Sequence, residues 1–96
     1  MNEREHLFTC LIEECAEIQK LASKVNRFGL DDKYPGADET NRDNLGQEFN
    51  DLLGVVELLN ELEPGLFRKS LRLINRKKAR VKYYMGYAKD HGTLVE

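Results

Sequence analysis

Between Leu11 and Val25 the chain reads LIEECAEIQKLASKV, with an apolar residue returning every three to four positions. That spacing predicts an amphipathic helix. At about 100° per residue, Leu11, Cys15, Ile18, Ala22 and Val25 gather on one face, and Leu7 and Phe8 extend it. The same stretch carries three carboxylates, Glu13, Glu14 and Glu17, within little more than one turn, and Glu14 and Glu17 fall at the edge of the apolar face. Like charges three or four residues apart repel, by about 0.2–0.5 kcal/mol per pair on an exposed helix. Acids placed beside an apolar stripe are therefore unfavourable unless a cation sits among them.

The rest of the chain divides at its glycines and prolines. Asn2 offers an N-cap, and Glu3 and Glu5 suit the positive end of a helix dipole. A first helix is predicted over about residues 3–27, stopping at Gly29. Residues 29–40 read as a loop around Pro35-Gly36, with room for a brief helical turn; loops this long in small domains are more often functional than idle. A second helix over about 41–63, capped from within Thr40–Asn44, presents Leu45, Phe49, Leu52, Leu53, Val56 and Leu59, and Pro64-Gly65 ends it. Gly54 inside it costs about 1 kcal/mol against alanine, which anticipates close packing there. A third helix over about 66–87 spaces Phe67, Leu71, Ile74, Val81 and Met85 to face a core, with a loose or late-docking tail after it.

Three striped helices in residues 1–96 predict one all-α domain, a small antiparallel helical bundle. A chain of 96 residues buries a modest core, so a homodimer or homotetramer is expected to complete it. With 41% apolar and 33% charged residues, disorder is excluded. The start, MNEREHLF, has no apolar signal core and no apolar run approaches about 18–20 residues, so a cytoplasmic, non-membrane protein is expected. Cys10 and Cys15 lack metal-site or redox spacing and read as reduced packing residues. Charge is unevenly spread: residues 1–63 hold fifteen acids and six bases, whereas Pro64–Lys89 holds nine bases and no acid.

The second helix has its own acid pair, Glu48 and Asp51, with Glu48 at the border of its stripe. Antiparallel packing brings Glu14 and Glu17 opposite Glu48 and Asp51 along one seam. Four carboxylates in a partly dry groove cannot all stay ionised without compensation. A hard divalent cation supplies it, and carboxylate oxygens are what Mg²⁺ and Mn²⁺ prefer. Mg²⁺ usually binds substrate phosphates as well, so an all-carboxylate site points to phosphate chemistry.

With these motifs in place, EExxE at Glu13–Glu17 and ExxD at Glu48–Asp51, the sequence resembles the all-α nucleoside triphosphate pyrophosphohydrolases, specifically MazG-like proteins and their short phage-borne versions. The flanks LIEECAEIQK, Lys24…Arg27-Phe28-Gly29 and EFNDLLGVVELL carry the likeness, which covers about Leu7 to Leu62. Thirty residues separate Glu17 from Glu48, a little more than is usual in that family, and the extra length lies around Pro35-Gly36. The chain also has no tryptophan, unlike the dCTP-directed branch.

The resemblance implies hydrolysis of a (deoxy)nucleoside triphosphate to the monophosphate and pyrophosphate. It implies Mg²⁺, with Mn²⁺ as a substitute, held by Glu14, Glu17, Glu48 and Asp51, with Glu13 as an outer partner or extra ligand. Glu14 first, then Glu13, is expected to orient the attacking water or take its proton. Lys24, on the same side of the first helix as Glu13 and Glu17, and Arg27 are expected phosphate contacts. Arg76, Lys77, Arg80 and Lys82 are further candidates, donated across a dimer interface. The competing expectations are a phosphoribosyl-ATP pyrophosphatase-like enzyme and a non-catalytic helical adaptor or nucleic-acid-binding protein using the basic third helix. The slightly acidic net charge of −2 speaks against nucleic acid.

Overall fold

Asn2 caps the first helix, α1 (Glu3–Phe28): its Oδ1 accepts from the Glu5 backbone N–H at 2.8 Å. The structure, a computed structural model, describes residues 1–95. Gly29 closes α1 at φ 96°, a backbone conformation that side chains disfavour, and its N–H donates to the Val25 carbonyl. The second helix, α2 (Asn41–Leu62), starts from a capping box. Thr40 Oγ1 accepts from the Asp43 N–H at 3.1 Å, and the Asp43 carboxylate accepts from the Thr40 N–H at 3.0 Å. The latter bond holds the Asp43 carboxyl below its ordinary value.

The segment between them contains no helical turn. Turns at Leu30–Asp31 and Pro35–Gly36 fold it back onto α2, with an isolated bridge between Lys33 and Thr40. The Asn41 N–H donates to the Asp32 carbonyl at 3.0 Å and the Arg42 N–H to the Leu30 carbonyl at 2.8 Å. Asn41 Nδ2 donates to the Gly29 carbonyl at 2.9 Å. The loop is thus tied to the first turn of α2.

Helices α1 and α2 form an antiparallel hairpin, with Arg4 and Glu63 meeting at 3.3 Å at its open end. The inward positions are Leu7, Leu11, Glu14, Ile18, Leu21 and Val25 on α1, facing Asn41, Leu45, Glu48, Leu52, Val56 and Leu59 on α2. Apart from Val56, these follow a seven-residue repeat, as expected of a long helix pair in which each seam stays on its partner. The stripe expected from a straight helical wheel is therefore corrected in phase. Cys15 and Ala22 are exposed, Leu21 takes the centre, and Phe49 and Leu53 stand 54% and 42% exposed on the outer side of α2. Nothing lies within 4 Å of a Cβ built on Gly54, so the close packing anticipated there is absent within the chain. Leu59 and Leu21 are the only buried apolar residues among those described, and only Leu59 is fully so.

The third helix, α3 (Leu71–Asp90), starts five residues later than the sequence predicts. Asn60 is the reason: its side chain accepts from the Phe67 N–H at 2.8 Å and donates to the Phe67 carbonyl at 3.0 Å. The bond to the Phe67 carbonyl takes the acceptor that a helix from residue 66 would offer the Leu71 N–H, and Ser70 caps the helix instead. At the other end α3 runs past Tyr87. His91 stacks on Tyr87 at 4.0 Å, and the Thr93 and Leu94 N–H groups return to the Ala88 carbonyl.

No Cα of α3 comes within 8 Å of one in α1 or α2. The expected core contact of Leu71, Ile74, Val81 and Met85 is therefore not made within one chain, and all four are exposed. The Cα radius of gyration is 17.1 Å, against about 12–13 Å for a compact chain of this length. Among the described residues there are three helices and no strand, and no helix is long and apolar enough to cross a membrane.

Because the capping box anchors both α2 and the loop, Thr40→Ala is expected to lower unfolding stability by about 1 kcal/mol. Chemical denaturation followed by far-ultraviolet circular dichroism measures it; a loss below a few tenths shows that the box contributes little.

Candidate metal centre

Two of the seam positions that would ordinarily carry leucine carry glutamate. Glu14 lies midway along the inner face of α1 and Glu48 on the facing turn of α2, so helix packing alone brings the carboxyls together. Asp51, one turn beyond Glu48, joins them. One oxygen from each of Glu14, Glu48 and Asp51 lies within 4.8 Å of the others. Glu14 and Glu48 are half-buried and Asp51 is exposed, so the group opens to solvent on one side.

Glu14 Oε2 and Glu48 Oε2 are both out of contact with solvent and have no hydrogen-bond partner. Two ionised carboxylates cannot donate to each other, so each leaves a lone pair uncompensated in the seam. The Glu48 carboxyl is consequently pushed up to about 7 from an ordinary 4.5. The largest cause is the hydrogen bond that a protonated Glu48 makes to Glu14. Desolvation follows, then the charges of Glu14, Asp51 and Glu17. A proton relieves this arrangement partly; a divalent cation relieves it for all three carboxylates together. The donor set is oxygen only and open on one side, which fits Mg²⁺ or Mn²⁺ with retained waters.

The other expected site residues are distributed as follows. Glu17 is exposed and outside the group of three, but its charge reaches Glu48, and with Leu21, Asn44, Gln47 and Glu48 it lines a shallow pocket of about 180 Å³. Glu13 is exposed and also outside the group. Lys24 is half-buried two turns beyond Glu17 and lines a larger pocket of about 350 Å³ against the loop. Arg27 lies over the Phe28 ring at 5.1 Å. Arg76, Lys77, Arg80 and Lys82 all stand on α3, and a single chain does not bring them to the acids.

Sequence reasoning missed the loop pocket, whose walls include Tyr34, Lys33 and Asn41. The available signal was an aromatic and a lysine inside an unusually long loop, followed by an asparagine at the start of a helix. Asn41 is the most buried polar residue, 7% exposed. No protein-family model, curated protein or solved structure matches this chain.

The raised Glu48 carboxyl sets a pH dependence. Its folded value lies above its unfolded one, so the folded state holds the extra proton between pH 4.5 and about 7. Stability of the metal-free protein is therefore expected to fall as pH rises through that window, and Glu48→Gln to flatten the fall. Thermal melts between pH 4 and 8 in chelator measure this; a wild-type curve no steeper than that of Glu48→Gln would remove Glu48 as its cause.

Proposed function

We propose that this protein is a Mg²⁺-dependent nucleoside triphosphate pyrophosphohydrolase, acting in the cytoplasm to release a nucleoside monophosphate and pyrophosphate. The observation that carries this is the pair of buried oxygens without partners, Glu14 Oε2 and Glu48 Oε2, with Asp51 beside them. Ion pairing on a solvated helix face does not account for acids that have lost water at these oxygens and have only a shared proton to relieve them. The EExxE and ExxD motifs that contain these residues give the same class by resemblance.

Glu14, Glu48 and Asp51 would hold Mg²⁺, or Mn²⁺ in its place, with Glu17 at the rim. The cation supplies neutralisation of phosphate charge and polarisation of the phosphorus centre. In the hydrolysis a water oxygen bonds to phosphorus, the bridging P–O bond breaks, and pyrophosphate leaves. Glu14 is the first choice to take the proton of that water, since it stands in the cluster at the drier end; Glu13, on the neighbouring exposed position, is the second. Lys24, two turns beyond Glu17, would contact the substrate where the seam meets the loop.

Self-association belongs to the same proposal. The outer face of the hairpin exposes Ile12, Phe49 and Leu53, and α3 exposes Leu71, Ile74, Val81 and Met85. The hairpin is acidic and the segment containing α3 basic. A second copy docking its α3 on this face would cover both stripes in a homodimer or homotetramer.

One observation also favours nucleic-acid binding: α3 leaves its bases free, with no acid in Pro64–Lys89. Binding of duplex DNA that falls steeply with salt and needs no Mg²⁺ would select that function instead.

Incubation with each common nucleoside triphosphate is expected to yield monophosphate and pyrophosphate only when Mg²⁺ or Mn²⁺ is present. Glu48→Gln and Asp51→Asn are each expected to cut kcat/KM by at least about 100-fold. Hydrolysis that survives both substitutions refutes the site. In solution the chain is expected to sediment as a dimer or tetramer, and Val81→Asp to shift it toward monomer; a monomeric wild type at micromolar concentration removes the α3 interface.

A further inference from the structure

We propose that the pocket between the end of α1 and the 29–40 loop is a nucleobase subsite that reads the N–H and C=O edge of a keto base, guanine before the others. This deepens the pyrophosphohydrolase reading and rests on it for the position of the phosphates. The pocket, about 350 Å³, lies at the low end of the volumes that hold small ligands and suits a single base.

Its apolar walls are Phe28, Tyr34 and Pro35. Phe28 and Tyr34 are 60% and 77% exposed, and Arg27 lies over the Phe28 ring. A base against either ring would gain stacking, which any base supplies. Selectivity has to come from the polar groups on the same walls: Asp32, Lys24, Lys33 and Asn41.

Asp32 makes no ion pair among the described residues; its neighbour Asp31 takes Arg42 instead. Asn41 is nine-tenths buried and spends Nδ2 on the Gly29 carbonyl, which leaves Oδ1 as a fixed acceptor. The site therefore offers acceptors at Asp32 and Asn41 beside two ammonium donors. Guanine presents N1–H and N2–H₂ to a carboxylate as a pair of parallel donors, with O6 adjacent for an ammonium. Uracil and thymine present one N–H between two carbonyls. Adenine and cytosine present a bare ring nitrogen, whose lone pair meets the carboxylate in repulsion.

The placement suits a nucleotide laid along the seam. Lys24 is seven residues beyond Glu17 and Asn41 seven before Glu48, two helical turns or about 10 Å on each strand of the hairpin. The shallow pocket at Leu21, Asn44 and Gln47 fills that interval. Phosphates at the acids and a base at the loop thus occupy one continuous groove. The backbone bonds from Asn41 and Arg42 into the loop hold the recognising end formed in advance.

The test compares kcat/KM for GTP and ATP with the full chain and Mg²⁺, and binding of GMP and AMP by calorimetry. GTP is expected to exceed ATP by at least about tenfold, and Asp32→Asn to narrow the gap to about twofold. Tyr34→Ala is expected to raise KM for GTP more than it lowers kcat, as loss of stacking does. Lys33→Gln guards against a loosened loop in Asp32→Asn and should lose GTP preference in the same way. Equal turnover of GTP and ATP by the wild type, or a preference that both substitutions leave intact, overturns the subsite while the hydrolase stands. Tighter binding of GMP than AMP, lost in Asp32→Asn, in a protein that hydrolyses no triphosphate keeps the subsite and overturns the hydrolase. No turnover and no difference between GMP and AMP overturns both.

Discussion

Two glutamates facing each other across a hydrophobic seam are the constraint from which the rest of this structure follows. Glu14 and Glu48 occupy positions where leucine, isoleucine or valine would close the α1–α2 pair as an ordinary coiled hairpin. Each brings one oxygen into the seam without a donor. The hairpin therefore gives up packing at its middle and gains a place where positive charge is strongly favoured. Such an exchange of stability for a charged site is expected where a group must be held in readiness for a ligand. Arg4–Glu63 at the open end is a surface pair and contributes little to the register. The register is held at the other end, where the loop is bonded to the first turn of α2.

A seam with a polar centre and, among the described residues, only two buried apolar side chains leaves much hydrophobic surface uncovered. That surface lies in two places, the outside of the hairpin and the length of α3. The connection at Pro64–Lys69, in which Asn60 fastens Phe67, does not fold α3 back across the hairpin. Under the proposed self-association a second copy of the chain would cover both surfaces, and the acidic hairpin and basic Pro64–Lys89 segment are complementary in charge.

Much of this was legible in the sequence, and the exceptions are physical. Helix number and most limits follow from Asn2, Gly29, Thr40 and Pro64, each of which acts on its own neighbours. Two short motifs on adjacent helices pointed to four converging carboxylates, Glu14, Glu17, Glu48 and Asp51; three of them come together, and Glu17 stays outside the group on an exposed position. The phase of the seam was not legible. A wheel at 100° per residue assigns Cys15 and Ala22 inward, whereas a packed pair keeps to a seven-residue repeat and selects Glu14 and Leu21. The start of α3 was also hidden, since it depends on a side chain seven residues upstream of the residue it blocks. The loop pocket was hidden because nothing local announces that Phe28, Tyr34 and Asn41 come together; the bonds from α2 back into the loop decide it.

Placing chemistry and recognition at different points of one rigid hairpin has a mechanical consequence. The acids are fixed by helix backbone, and the loop pocket is fixed by hydrogen bonds to the end of one of the same helices. The interval between them is set by helical rise, about 1.5 Å per residue, rather than by a hinge. On the proposed reading, ligand length would be measured against a fixed ruler: phosphates met through a cation at the acids, and a flat polar ring two turns away at the loop. A free phosphate would satisfy the first condition and a nucleoside the second, whereas a nucleotide would join them. Such selectivity would need no conformational change in the hairpin, because helical rise sets the interval.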